Sequence, residues 1–309
     1  TAWYRRKSIM KRVFLSDNIS VSRIAYGMWR LCDDKDNSPE RVIKKLETCL
    51  ESGITTIDQA DIYGEGRSEE LFGVALGKVS NIREKLEIIT KCNIKILGDS
   101  FPERNVKSYN TSSQYITKTV ETSLSKMKID YIDLLLLHRP DPFMDHNETG
   151  LTLDKLVDSG KIRSVGVSKF RPWDWDLLQS AMKHKLLTNQ IEISVKNTEP
   201  FINGDLAFLQ KQGKPVMAWS PMGGGSLFET QDNQSKRLLE TLSNIADPLG
   251  CDISTVALAW LISHPAQIIP VIGTNNIQRI TEASKAVDFM LDRETWFQVY
   301  TASIGEEVP

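Results

Sequence analysis

The strongest constraint on the fold is a regular alternation of short apolar segments with longer segments of helical periodicity. Eight apolar segments have the length of strands, from residues 24–29 to residues 267–272. This repeat runs without a break in composition, which predicts one α/β domain over residues 1–309, a single (β/α)8 TIM barrel. A doubly wound open sheet is the alternative, but no Gly-x-Gly-x-x-Gly fingerprint follows the first predicted strand.

Several local signals add detail to this barrel. Residues 13–16 and 19–22 flank a short turn and predict a β-hairpin at the bottom of the barrel. Ser38 before Pro39 predicts a capped helix start. Residues 93–112 are polar and predict an irregular loop, and residues 277–287 predict the last helix, with extra helices and loops near the C-terminus.

Composition and charge limit the kinds of partner that this chain is expected to bind. The chain has 309 residues, a formal net charge of -2 and 40% hydrophobic residues, so we expect neither a nucleic-acid nor a membrane partner. Residues 1–12 are basic and lack the apolar core of a secretory signal. The four cysteines have no paired or metal-like spacing. We therefore expect a cytoplasmic protein, a monomer or weak homo-oligomer.

Polar side chains stand where three consecutive predicted strands end. Asp58 follows residues 54–57, Lys91 follows residues 86–90, and His138 follows residues 131–137. Tyr63 lies one short turn beyond Asp58. Since the carboxyl ends of parallel barrel strands meet at one face, we expect these four side chains to lie together.

The four side chains suit the reduction of a carbonyl by hydride. The carbonyl oxygen gains negative charge and must be protonated by an acid. Tyr63 is the candidate acid, and a neighbouring Lys91 ammonium is expected to lower the phenol pKa from its usual value of about 10. Asp58 would keep Lys91 charged, and His138 would donate to the carbonyl oxygen or share the proton relay. No metal is required.

Each residue taken singly also has a purely structural explanation. A strand-end Asp can cap a turn, a Tyr can mark a loop, a Lys can be a solvated strand end, and a His can satisfy a buried backbone group. The combination at one end of three consecutive strands favours catalysis.

Three motifs resemble signatures of the aldo-keto reductases, in the branch of bacterial oxidoreductases. They are residues 53–64 (GITTIDQADIYG), 90–92 (TKC) and 130–140 (DYIDLLLLHRP), and residues 160–168 (GKIRSVGVS) continue the resemblance. The resemblance covers about residues 24–287. It implies an NADPH-dependent reductase, with NADPH preferred to NADH, that acts on an aldehyde or ketone as its small-molecule substrate.

The resemblance also implies a cofactor site. Ser168 and Gln190 match residues that hold the nicotinamide carboxamide, and Trp219 matches the aromatic residue that stacks on the nicotinamide ring. Positions along the pyrophosphate and the adenosine phosphate are matched by Ser220, Met222, Gly273, Thr274, Arg279 and Glu282. The alternatives are a strand-end cap for Ser168, a core position for Trp219 and a solvated helix face for Arg279.

Three positions depart from the pattern that this resemblance implies. Lys169 stands in the carboxamide site where the family usually has Asn. Gly273 replaces a Lys that pairs with the 2′-phosphate in many members, and Ala283 replaces an Asn that reaches the adenine. The expected preference for NADPH therefore depends on Arg279 and Thr274.

The substrate pocket is expected to be lined by Trp29, Tyr63 and His138. These aromatic walls suit an apolar or aromatic aldehyde or ketone. A core position for Trp29 is an equal alternative. The loop at 93–112 carries three cations that would favour an acidic substrate if the loop covered the pocket, although a solvated loop is the preferred interpretation; they are Lys95, Arg104 and Lys107.

Two other classes of function remain as alternatives. The first is a cofactor-binding regulatory subunit that resembles potassium-channel β subunits, which keep the barrel and the cofactor. The second is a barrel that binds a small ligand and has lost its chemistry. The four strand-end residues argue against the second alternative, and the sequence shows no extended N-terminal region of the kind that a channel-blocking segment would need, which argues against the first.

Overall fold

The chain forms a closed barrel of eight parallel strands, which confirms the predicted fold class. The computed structural model describes residues 12–229 and 231–309, so most of the basic N-terminal segment, residues 1–11, lies outside the described residues. Two short strands precede the barrel, β1 (Arg12–Ser16) and β2 (Ile19–Ser22). The barrel strands are β3 (Ala25–Gly27), β4 (Thr56–Asp58), β5 (Glu87–Cys92), β8 (Leu134–Leu137), β9 (Val165–Ser168), β10 (Leu186–Glu192), β11 (Val216–Trp219) and β12 (Ile268–Ile272).

The predicted hairpin at the bottom of the barrel is confirmed. Strands β1 and β2 pair antiparallel, and their apolar side chains pack under the barrel. Val13 and Leu15 of β1 and Val21 of β2 are buried against barrel residues such as Leu134 and Met217. This hairpin closes the barrel at the end opposite the carboxyl ends of the strands, so only the other end is open to ligands.

Ten α-helices surround the barrel among the described residues. The predicted cap is present, because the Ser38 hydroxyl accepts a hydrogen bond from the Arg41 N–H at 3.2 Å. The helices are α1 (Pro39–Glu51), α2 (Arg67–Leu76), α3 (Ser113–Met127), α4 (His146–Asp158), α5 (Pro172–Ser180), α6 (Asp205–Lys211), α7 (Asn233–Ala246), α8 (Ile253–Ile262), α9 (Ile277–Ser284) and α10 (Arg293–Ile304).

Helix α10 corrects the expectation that the last helix ends near residue 287. Trp296 of α10 stacks on Trp260 of α8 with ring centroids 4.8 Å apart. Each indole N–H donates to the other residue's backbone carbonyl, at 2.9 Å from Trp260 and 3.1 Å from Trp296. This contact joins residues far apart in sequence, so local periodicity does not reveal it.

The polar segment at 93–112 is more ordered than the irregular loop that the sequence predicts. It contains two short antiparallel strands, β6 (Ile94–Lys95) and β7 (Ser108–Tyr109). Asn93 adopts a positive φ of 93° at the base of this hairpin, and its carbonyl accepts from the Asn110 N–H at 2.9 Å. The hairpin therefore stands beside the open end of the barrel instead of extending freely into solvent.

Within residues 12–229 and 231–309, no single helix is long and apolar enough to cross a membrane, although the bent pair 233–249 and 253–262 has the required length and composition when taken together. No group of three or more His, Cys, Asp or Glu side chains in these ranges is arranged to hold a metal ion. All four cysteines are free thiols.

Candidate active site

The structure brings the four strand-end residues together at the open end of the barrel. Asp58 is the last residue of β4, Lys91 lies near the end of β5, and His138 directly follows β8. Tyr63 begins a 3-10 turn after β4. The side chains meet because neighbouring parallel strands end at the same rim.

Lys91 is fully engaged at the centre of this group. Its ammonium donates to the Asp58 carboxylate at 2.7 Å, to the Tyr63 hydroxyl oxygen at 2.8 Å and to the Gln59 carbonyl at 2.9 Å. An ammonium has three N–H donors, so each one has an acceptor. Because the Tyr63 oxygen accepts from Lys91, the phenol proton is left to donate elsewhere.

The second carboxylate oxygen of Asp58 orients a predicted cofactor residue. The Gln190 side-chain amide donates to this oxygen at 2.8 Å. The nitrogen of that amide is thereby committed to Asp58, which leaves its oxygen as an acceptor toward the groove. Ser168, the other predicted carboxamide residue, donates to the Gln190 carbonyl at 2.9 Å.

Burial sets the protonation states of the site. Burial raises the pKa of the Tyr63 phenol, and the Lys91 ammonium, which lowers it as expected, offsets only part of that rise. Burial lowers the pKa of Lys91, but Asp58 and Tyr63 together raise it by more than that, so the pKa is raised overall. Burial and then the Lys91 charge hold the pKa of His138 well below 6.5. The site thus holds a neutral phenol, a charged ammonium and a neutral imidazole.

His138 faces Tyr63 across the open end of the barrel. Their ring centroids are 6.2 Å apart and their planes meet at 78°. His138 Nδ1 is buried and has no partner among the described residues. Both residues line the same groove, so both side chains can reach one bound carbonyl group.

A groove of about 1200 Å³ begins at these side chains and continues to the start of α9. Trp29 lines its wall with 60% of its surface exposed, which removes the core alternative for this residue. Lys91 lies behind Tyr63 and does not reach the groove wall. The other predicted site residues that line it are Asp58, Tyr63, His138, Ser168, Gln190, Trp219, Ser220, Met222, Gly273, Thr274, Arg279 and Glu282.

Lys169 is the one predicted cofactor residue that the structure places outside the groove wall. Its side chain is exposed, and its backbone adopts a positive φ of 57° while its N–H donates to the Gln190 carbonyl at 2.9 Å. This turn directs the chain away from the groove. The departure from the family's Asn therefore brings no ammonium into the carboxamide site.

Several groove residues were not assigned from the sequence. Arg30 donates to the Gly224 carbonyl at 2.7 Å and so connects two loops across the groove. The Asn275 side chain donates to the Arg30 carbonyl at 2.6 Å. Tyr109 reaches the groove from the β6–β7 hairpin, and only the long-range pairing of that hairpin reveals it. Of the three loop cations named from the sequence, Lys107 lines the groove while staying exposed, which corrects the preference for a fully solvated loop.

Arg139 is also missed, although the signal that identifies His138 applies to it as well. Arg139 is the next residue after the same strand end, and it lines the groove. A cation at the end of a barrel strand is itself a candidate site residue, so the sequence carries the signal for Arg139.

The groove fits an extended cofactor with a phosphate-bearing middle. Gly224 and Gly225 adopt positive φ angles of 67° and 105°, so bare backbone lines the groove there. A Cβ at Gly225 would meet no heavy atom within 4 Å, and one at Gly273 would meet only the Gly27 carbonyl, at 3.9 Å. Backbone this open admits the close approach of a pyrophosphate. Trp219 Nε1 is buried without a partner among the described residues.

Comparison with known proteins agrees with this geometry. Residues 23–303 match the model of the aldo/keto reductase family. The chain belongs to the aldo/keto reductase family. It is accordingly an NAD(P)H-dependent oxidoreductase that acts on carbonyl groups.

Individual relatives cover almost the whole chain. A 6-dehydroglucose reductase of Agrobacterium fabrum is 51% identical, with 97% of this chain and 100% of the relative covered. A second protein of that name, from Novosphingobium aromaticivorans, is 36% identical, with 94% of each chain covered. The solved structure of the thermostable aldo-keto reductase Tm1743 with the inhibitor epalrestat has a TM-score of 0.80, 26% identity and coverage of 95% of this chain and 100% of its own.

Proposed function

We propose that this oxidoreductase is an NADPH-dependent reductase of an aldehyde or ketone, with Tyr63 as the general acid. The observation that carries this proposal is the bond from Lys91 to the Tyr63 oxygen, which leaves the phenol proton to point into the groove. A carbonyl oxygen between Tyr63 and His138 would receive that proton while His138 holds the oxygen. Asp58 and Lys91 position the phenol.

The cofactor would lie along the groove with its nicotinamide next to Tyr63. Bound NADPH supplies the hydride. Gln190 would accept from the carboxamide through its free oxygen, Ser168 would adjoin the same group, and Trp219 would cover the ring. Ser220, Met222 and the bare backbone of 223–225 would follow the pyrophosphate.

The preference for NADPH over NADH is supported by Arg279. It lines the groove in the first turn of α9, and its guanidinium forms no ion pair within residues 12–229 and 231–309. A free guanidinium at a helix start is suited to the 2′-phosphate that only NADPH carries. Thr274 and Gly273 precede it, and Glu282 is held by Lys285 at 2.6 Å.

Two relatives suggest the substrate class. The proteins from Agrobacterium fabrum and Novosphingobium aromaticivorans share the name 6-dehydroglucose reductase although their identities with this chain differ, at 51% and 36%. We infer that the substrate is a sugar-derived aldehyde. This class is more polar than the apolar or aromatic carbonyl that the aromatic pocket residues alone favoured.

The decisive experiment measures both cofactor binding and turnover of the purified protein. Quenching of tryptophan fluorescence is titrated with NADPH and separately with NADH, with Trp219→Phe as the control for the reporter. We expect tight NADPH binding, weaker NADH binding, and NADPH consumption when 6-dehydroglucose is added. Binding without consumption of any aldehyde would support the regulatory alternative that resembles channel β subunits, and absence of binding would contradict the cofactor assignment.

A further inference from the structure

Arg139 lies in the groove beside the proposed acid and carbonyl-binding residues. It directly follows His138 at the end of β8 and lines the same end of the groove as Tyr63. Its guanidinium is close enough to Tyr63 and to Tyr109 of the β6–β7 hairpin to interact with both electrostatically. Arg139 therefore lies between the reacting group and the hairpin that borders the substrate end.

Two sets of contacts hold Arg139 in place. The side chain of buried Asn93 accepts from the Arg139 N–H at 3.1 Å and donates to the Arg139 carbonyl at 2.9 Å. On the side chain, Nη1 donates to the His138 carbonyl at 2.5 Å and to the Ser168 hydroxyl at 3.2 Å. Both the backbone and one corner of the guanidinium are thus fixed before any ligand binds.

The rest of the guanidinium is unused. Nε and Nη2 donate to no acceptor within residues 12–229 and 231–309, and no carboxylate in those ranges lies within 4.0 Å of them. Neither atom is among the fully buried polar atoms that lack a partner, so both keep some exposed surface, and Arg139 lines the groove. Arg139 is half-buried, and this burial lowers the pKa of its guanidinium. A half-buried charge with unused donors is best satisfied by acceptor oxygens of a ligand.

We propose that Arg139 determines substrate specificity by donating from Nε and Nη2 to a hydroxyl on the carbon next to the carbonyl. The chain would then select α-hydroxy aldehydes and ketones over their deoxy analogues. This inference rests on the proposed reductase function, since it places the carbonyl oxygen between Tyr63 and His138. With that oxygen there, the adjoining substrate carbons would lie in the groove that Arg139 lines together with Tyr63 and His138.

A hydroxyl fits the surroundings better than an anion. Lys107 is the other cation at this end of the groove, and it is exposed, with no hydrogen bond or ion pair to the described residues. The free edge of Arg139 carries two N–H donors and can bind two acceptor oxygens of a ligand. The sugar-derived aldehyde proposed above is neutral, so the acceptor that it offers to this edge is a hydroxyl oxygen.

The test compares matched aldehydes in matched variants. The kcat/KM values for 2-hydroxypropanal and propanal are measured with NADPH for the wild-type chain, Arg139→Met, Arg139→Lys and Lys107→Met. For each variant we take the ratio of the two kcat/KM values, in which general changes in cofactor affinity and folding cancel. Comparing this ratio between variants also removes the effect of aldehyde hydration, which is the same for every variant. Glyoxylate, which carries a carboxylate in place of the hydroxylated carbon, tests recognition of charge. Arg139→Gln tests the same change if the Met variant does not fold.

We expect Arg139→Met to lower the preference for the hydroxylated aldehyde by about 10- to 100-fold, as for loss of a charged hydrogen bond. Arg139→Lys should keep part of the preference, and Lys107→Met should keep all of it. An unchanged ratio in Arg139→Met overturns the assignment, and so does a loss confined to glyoxylate. A wild-type chain that binds NADPH but reduces no aldehyde contradicts the reductase proposal itself, and the assignment with it.

Discussion

The ammonium of Lys91 lies 2.8 Å from the Tyr63 hydroxyl oxygen, and Lys91 is the donor in this bond. The same ammonium is held by Asp58 at 2.7 Å. Lys91 is thus a fixed positive charge behind a phenol that lines the groove and whose own proton is not used in this bond. Substitutions of these three groups should have different effects. Loss of the Tyr63 hydroxyl should affect acid catalysis, whereas loss of Lys91 or Asp58 should affect the positioning of the phenol and the stability of the fold.

Tyr63→Phe should remove turnover while leaving cofactor binding intact. The substitution removes only the hydroxyl, and loss of a general acid typically costs about 100- to 10,000-fold in rate. Initial rates of aldehyde reduction give the loss in kcat, and the fluorescence titration gives the NADPH affinity. Full activity of the variant would rule out Tyr63 as the acid.

The rate of reduction should be nearly independent of pH across the neutral range. The pKa of Tyr63 is raised above its ordinary 10.0, so the phenol stays protonated until the pH exceeds that value. The pKa of His138 is lowered well below 6.5, so the imidazole stays neutral until strongly acidic pH. A pH profile of kcat/KM with a midpoint between 7 and 9 would show that Lys91 outweighs burial once ligands are bound.

Lys91→Met should destabilise the fold as well as impair catalysis. Lys91 is 1% exposed, and its loss leaves the buried Asp58 carboxylate without its cation. Breaking a buried ion pair typically costs about 3–5 kcal/mol of unfolding free energy. Urea denaturation measures this loss. The double variant with Asp58→Asn serves as the control and should recover much of the stability but none of the turnover.

Arg279→Gln should change cofactor preference. Loss of the guanidinium should weaken NADPH binding by about 10- to 100-fold, as for a hydrogen bond to a charged group, and leave NADH binding unchanged. Equilibrium titrations of the two cofactors with the same variant provide the internal control. Equal weakening of both would place Arg279 away from the 2′-phosphate and favour a role in holding α9.

Arg30→Ala should accelerate cofactor release. Arg30 bonds the Gly224 carbonyl at 2.7 Å across the groove, and the loss of a single hydrogen bond should raise the dissociation rate by up to about tenfold. Stopped-flow displacement of bound NADPH measures that rate. An unchanged rate would mean that the two loops separate independently of this contact.

Local sequence patterns are enough to predict the strand–helix repeat, the hairpin below the barrel and the rim on which Asp58, Lys91 and His138 lie. These features follow from local periodicity, helix caps and the rule that parallel strands end together. Periodicity and helix caps depend on residues within about ten positions of one another, so a short stretch of sequence is enough to reveal them.

Other features depend on contacts between residues that are far apart in sequence, so they are visible only in the folded chain. Helix α10 is fixed by the stacking of Trp296 on Trp260, and the β6–β7 hairpin brings Lys107 to the groove. The outward turn at Lys169 and the free edge of Arg139 are likewise products of packing. The net rise in the Tyr63 pKa has the same origin, since the extent of burial competes with a neighbouring charge and neither is set by adjacent residues.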